Sequence, residues 1–105
     1  MGIELVNLSK MNLNDLPKRK AVYAIFAQEK ETGEPINCRY VGETDNFEER
    51  TKAHFSKKEQ NKCLKKFMQS TKIKLTKYEL MPSSNKEERM KKEKEWIKRY
   101  DPECN

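Results

Sequence analysis

The chain has 105 residues, enough for one compact domain with a modest core and too few for a second. Charged residues make up 38% and hydrophobic ones 34%, and 23 Lys and Arg against 17 Asp and Glu leave a formal charge of +6. That balance favours polyanionic partners, nucleic acid first and an anionic membrane surface second, because a positive field concentrates them. No apolar run approaches membrane-spanning length and the opening Met-Gly-Ile-Glu-Leu-Val does not resemble a signal peptide, so a soluble, cytoplasmic protein is expected. Cys38, Cys63 and Cys104 are widely spaced, odd in number and form no C-x-x-C pair, which argues against a zinc site and against a disulfide framework. They are expected to be reduced thiols.

Residues 1–20 read as a preamble with scattered leucines, stopped at Pro17. The apolar run from Ala21 to Ala27 predicts a buried strand, the segment from Glu31 to Pro35 a turn, and Cys38 to Glu43 a second strand completing a hairpin. Asp45, with Glu48 three residues on, predicts a capped helix reaching about Phe55. A short second helix follows, with Cys63, Leu64, Phe67 and Met68 on one face. Ile73 to Met81 reads as a third strand, and Ser84 with Glu87 predicts the capped start of a last helix running to about Tyr100, before Pro102. The order β-β-α-α-β-α predicts an α/β (α+β) fold: a small three-stranded antiparallel or mixed sheet flanked by helices.

Two helices place ionisable groups where the period asks for apolar ones. Phe47, Arg50, Thr51, His54 and Phe55 share the face that a surface helix turns inward. In the last helix Met90, Glu93, Ile97 and Tyr100 repeat at three- and four-residue steps, with Trp96 beside them. A charge turned toward a core is costly unless it is paired or solvated by a cleft. One reading is a structural Arg50–Glu93 ion pair with His54 as a hydrogen-bonded core residue. The other is that Arg50, His54 and Glu93 line a shallow cleft beside the sheet. Position alone leaves both open.

Across about 85 residues the ordered motifs resemble the GIY-YIG nuclease superfamily. Ala21-Val22-Tyr23 stands for the first triplet, with Ala in place of Gly, and Tyr40-Val41-Gly42 for the second. Arg50 follows Tyr40 by ten residues and His54 by four more; Glu93 to Ile97 is similar to the family's E-x-x-[WL]-I; Pro102 to Asn105 is similar to its closing P-x-x-N. The stretch between the two tyrosines is a few residues longer than in compact members, and the excess is expected in the hairpin turn.

The resemblance implies a nuclease domain over residues 21–105 that hydrolyses phosphodiester bonds in DNA, with RNA not excluded and no membrane involved. It implies one Mg²⁺ or Mn²⁺ ion held by Glu93, since a hard cation accepts one carboxylate plus waters and phosphate oxygens. Arg50 would stabilise charge on the phosphate. Tyr23, or in its place Tyr40, would be the general base, with His54 assisting and Asn105 fixing the geometry from behind. Gly42 is read as letting the chain bend and a phosphate approach, with Lys52, Lys57 and Lys58 contacting flanking phosphates. Because the pattern runs to the last residue, specificity is expected from a partner protein, DNA structure, the preamble or an additional domain. The rival reading is a non-catalytic nucleic-acid-binding module of the same fold.

Overall fold

The computed structural model describes residues 2–105. Four strands, β1 (Glu4–Asn7), β2 (Ala21–Gln28), β3 (Pro35–Thr44) and β4 (Lys74–Leu80), form one sheet in the order β1-β4-β2-β3, every pair antiparallel. Three helices, α1 (Phe47–Phe55), α2 (Lys62–Met68) and α3 (Lys86–Tyr100), flank it. The α+β class is as expected, but the sheet has four strands and not three. The additional strand is β1. It lies at an edge with two of its four residues exposed, so it carries no alternating apolar signature that a sequence could display.

The run Ala21–Gln28 forms the second-from-edge strand because nearly every side chain on it is buried on one face or the other. Ala21, Tyr23, Ile25 and Ala27 join Phe47, Leu64, Phe67, Met68 and Tyr78 in one cluster. Val22, Ala24 and Phe26 join Cys38, Val41, Leu75 and Trp96 in the other. The period of two thus sends alternate residues into separate cores, α1 and α2 covering one and α3 the other.

The hairpin places Tyr23 directly opposite Gly42 and Ile25 opposite Tyr40. Toward the turn the register slips twice, Phe26 facing Cys38 and Ala27 facing Ile36. Arg39 and Asn37 are the residues skipped, and Asn37 takes a left-handed φ of 52°. These bulges add residues to β3 outside the hairpin turn.

Each predicted helix start is displaced by one residue. Asn46, not Asp45, caps α1 by accepting from the Glu49 amide, and Asn85 with Glu88 forms the capping box of α3, not Ser84 with Glu87. The first amides of α1 are further satisfied by carbonyls of residues 17 and 19, through Glu48 N–H to Pro17 O and Phe47 N–H to Arg19 O, both 3.0 Å.

The expectation for the cysteines is also corrected. Cys63 on α2 and Cys104 in the tail form a disulfide, their Cα atoms 5.4 Å apart, while Cys38 is buried and free. Sequence spacing concealed this because the tail turns back at Asp101, which holds a left-handed φ of 47°, and crosses β3 to reach α2. In the tail, the Glu103 and Cys104 amides donate to the carbonyls of Cys38 and Arg39, and the Asn105 side chain both accepts from the Val41 amide and donates to the Val41 carbonyl, each at 2.7 Å.

Candidate active site

β2, β3 and α1 bring Tyr23, Tyr40, Arg50 and His54 to one place. Tyr23 is 1% exposed, packed against Phe47, with ring centroids 5.6 Å apart. Its hydroxyl lies 2.6 Å from Nε2 of His54, which comes from the last turn of α1 and is wholly buried. Tyr40, half-buried on β3, sets its ring edge-on to His54 at 5.2 Å.

Burial pushes the Tyr23 phenol well above its ordinary pKa, with Tyr40 adding to the shift and Arg50 opposing it. Tyr40 is raised in the same way, again with Arg50 in opposition. The Arg50 guanidinium therefore sits beside both phenols, although Arg50 itself is exposed. The inward stripe of α1 is Phe47, Glu48, Thr51 and His54, so the expected inward position of Arg50 is corrected. Its stem leaves the helix at the border of the packed face, and only its head reaches the tyrosines. Arg50 forms no ion pair with Glu93 among the described residues, so that structural reading of the two charges falls away.

The other nitrogen of His54, Nδ1, lies 2.5 Å from Oε1 of Glu59. Glu59 was not among the residues singled out in the sequence. It stands in the loop after α1, where no helical or strand period applies, and no motif marks it. Burial would raise its pKa, but the Asn61 amide and His54 outweigh that and hold it below the usual carboxylate range. A carboxylate can only accept, so Nδ1 carries the hydrogen, Nε2 is bare, and the Tyr23 hydroxyl donates to it.

Burial pushes the His54 pKa below its ordinary 6.5, and Glu59 offsets this only in part. The ring is therefore neutral in the fold at pH 7. The unfolded chain binds this proton more readily, so the contribution to stability is complete above about pH 6.5 and is lost as pH falls from there toward the lower folded value. Urea melts at pH 7 and pH 5 are expected to show wild type losing more stability on acidification than His54→Gln. Equal losses would mean that the ring is not held neutral.

Glu93 lies half-buried on α3. Burial raises its pKa first, and the neighbouring charge of Glu43 raises it further. The buried positions of α3 are Arg89 and Trp96, while Met90 is 42% exposed, which corrects the expected stripe by one residue at its start. Arg89, unremarked in the sequence, donates to Glu43 at 3.1 Å and to both the hydroxyl and carbonyl of Ser84. It pins Glu43, and with it the end of β3, beside Glu93. Glu93 has no ion-pair partner among the described residues, and no three His, Cys, Asp or Glu side chains among them gather as a metal cluster. A half-buried carboxylate without an ion-pair partner, next to a second carboxylate, fits a hard divalent cation completed mainly by water and phosphate oxygens.

Gly42 has a reason other than chain bending. Its φ is not in the left-handed region, but a Cβ there would stand 2.6 Å from the Tyr23 hydroxyl oxygen and 2.9 Å from Cε2 of Tyr40. The two phenols occupy the missing side chain's space. Of the three lysines, Lys52 is engaged by Glu48 at 3.4 Å and by Asn14, whereas Lys57 and Lys58 are exposed in the turn after α1. Asn105 braces Val41, between Tyr40 and Gly42, and does not approach as a reacting group.

This pairing of a tyrosine hairpin with an Arg- and His-bearing helix and a Glu-bearing helix defines a nuclease-type fold. A family model described as the GIY-YIG catalytic domain matches residues 19–105, nearly the whole chain, and the protein belongs to that family. Its members are generally endonucleases, typically using divalent metals and acting on nucleic acid. No curated protein matches the chain. No helix among the described residues is long and apolar enough to cross a membrane.

Proposed function

We propose that the protein is a metal-dependent endonuclease hydrolysing phosphodiester bonds in DNA, with one Mg²⁺ or Mn²⁺ ion held by Glu93. The observation that carries this reading is the Tyr23 hydroxyl within 2.6 Å of a bare imidazole nitrogen, beside the Arg50 guanidinium. A phenol is a poor base because ionising it at neutral pH costs about 4 kcal/mol even for an exposed tyrosine. Burial increases that cost here. Tyr23 escapes it by passing its own proton to His54 as it takes one from water, so no free phenolate need form. Arg50 binds the scissile phosphate and stabilises its growing charge, typically worth about 10²–10³ in rate. When bound, the ion would polarise the phosphate and stabilise the leaving oxygen. Lys57 and Lys58 would meet flanking phosphates, with Lys52 less available. Specificity would come from DNA structure, a partner protein, the segment before β2 or an additional domain.

A second reading makes Tyr40 the base, favoured by its greater exposure, with the Glu93 charge opposing ionisation of its phenol. The test is cleavage of supercoiled plasmid, branched DNA and RNA with Mg²⁺ or Mn²⁺, with and without chelator, for wild type, Tyr23→Phe and Tyr40→Phe. Chelator-sensitive DNA cleavage that falls by about 10²–10⁴ in Tyr23→Phe and less in Tyr40→Phe is expected. The reverse ranking would assign the base to Tyr40. DNA bound without being cut by wild type would leave the non-catalytic binding module in possession.

A further inference from the structure

Glu59 is an enclosed carboxylate that the proposed chemistry leaves without a task. Its side chain is 6% exposed, it lies on a loop, and it belongs to neither apolar cluster. Such a group persists only when its charge is used or fully satisfied. Its two oxygens divide the work: Oε2 accepts from the Asn61 amide at 2.9 Å, and Oε1 takes His54 Nδ1. A helix-capping role does not explain this arrangement, because α2 already has its cap in the Asn61 side chain, which accepts from the Leu64 amide at 3.1 Å. Asn61 also donates to the Cys104 carbonyl at 2.8 Å, so the loop carrying Glu59 is tied to the tail that braces β3.

We infer that Glu59 is a positioning residue for the reaction, acting through His54: it fixes the Nδ1–H tautomer, leaves Nε2 bare toward Tyr23, and balances the imidazolium that forms. The inference rests on the proposed role of Tyr23. The groups facing the ring are Tyr23 from β2, Tyr40 from β3, Arg50 from its own helix and Glu59 from the loop, and among the described residues Glu59 is the one carboxylate in direct contact. In the step itself, an O–H bond of water breaks and its proton moves to the Tyr23 oxygen. The Tyr23 proton moves to His54 Nε2, and the water oxygen forms a bond to phosphorus as the bridging P–O bond breaks. The leaving alkoxide takes a proton from solvent, and the imidazolium returns its proton to Tyr23, which releases one to bulk water. The Arg50 cation opposes protonation of His54, so the Glu59 charge is needed on the far side of the ring.

His54 is the one histidine of the chain, so its ring nitrogens can be read by ¹⁵N NMR without further assignment, in the absence of DNA and metal. At neutral pH the wild type is expected to show a protonated Nδ1 and a bare Nε2. Glu59→Ala should shift the ring toward the Nε2–H form. Glu59→Gln should keep Nδ1–H through its amide oxygen, yet lower the titration midpoint of His54 and cut kcat about 10–100-fold with KM little changed. Should Glu59→Ala fail to fold, Glu59→Gln still carries the test. An Nε2–H tautomer in wild type, or wild-type titration and kcat in Glu59→Gln, would overturn the inference. If wild type cuts nothing, the nuclease reading fails by itself, while the NMR still decides whether Glu59 sets the tautomer. If wild type cuts and Glu59→Gln cuts equally well, the nuclease reading stands and this inference falls.

Discussion

Glu93→Ala is expected to abolish divalent-ion-dependent cleavage, by about 10³-fold or more, while leaving the fold at least as stable as wild type in chelator. The opposed signs follow from one cause. Burial and the adjacent Glu43 make the ionised Glu93 an unfavourable group in the fold without a cation beside it. Its folded pKa is raised, so the native state holds its proton to higher pH than the unfolded chain does. Stability is therefore lost as pH rises from the ordinary 4.5 through the raised value, and above that window the wild type carries the penalty. Removing the carboxylate removes the penalty at neutral pH and changes little at pH 4. Thermal melts of both proteins in chelator at the two pH values, alongside plasmid nicking with Mg²⁺ or Mn²⁺, check both halves. A variant that is inactive and also markedly less stable at pH 7 would mark Glu93 as a structural residue and contradict the proposal.

Gly42→Ala is expected to damage both fold and activity although it adds one methyl group. The new Cβ would lie 2.6 Å and 2.7 Å from the Tyr23 hydroxyl oxygen and Cζ. Tyr23 has no free path away, being packed on Phe47 and hydrogen-bonded to His54, and Gly42 is held opposite it by the β2–β3 ladder. Overpacking of this kind costs about 1–3 kcal/mol, a fall in Tm on the order of 5–15 °C for a domain of this size. Cleavage should fall by about 10² or more, since a displacement near 1 Å at a reacting group has that effect. Restoring space with the double variant Gly42→Ala, Tyr23→Phe should recover part of the stability but none of the activity. Full activity in Gly42→Ala would show that the Tyr23 hydroxyl need not occupy its present position.

The parts of the molecule written in local pattern were legible in the sequence. The run Ala21–Gln28 announces a two-sided buried strand, and the helices follow from their periods and caps. Both cap predictions missed by one residue for a shared reason: in Asp45-Asn46 and Ser84-Asn85 two capping residue types are adjacent, and spacing cannot choose between them. The stripe expected to start at Met90 starts instead one residue earlier, at the buried Arg89, while Met90 is exposed. Tyr23 and Tyr40 were marked by the family motifs alone, while the helical period gave the inward direction of His54 and misplaced that of Arg50. Glu59, the fourth strand and the Cys63–Cys104 bond were not legible, because each depends on how a loop, an edge or a terminus comes back onto the sheet.

The returning tail has one further effect, on the molecule's neighbours. β3 is an edge strand, and a bare edge offers unpaired amides and carbonyls to any extended chain nearby. Along residues 38–41 that offer is withdrawn: two backbone amides of the tail take the carbonyls of Cys38 and Arg39, and the carboxamide of Asn105 imitates a peptide unit against Val41. Asn105 is suited to this because its side chain carries one acceptor and one donor at the spacing of a main-chain amide. On the tyrosine side the sheet is closed to intermolecular strand addition over these residues. The opposite edge is left to β1, whose four residues make a short template.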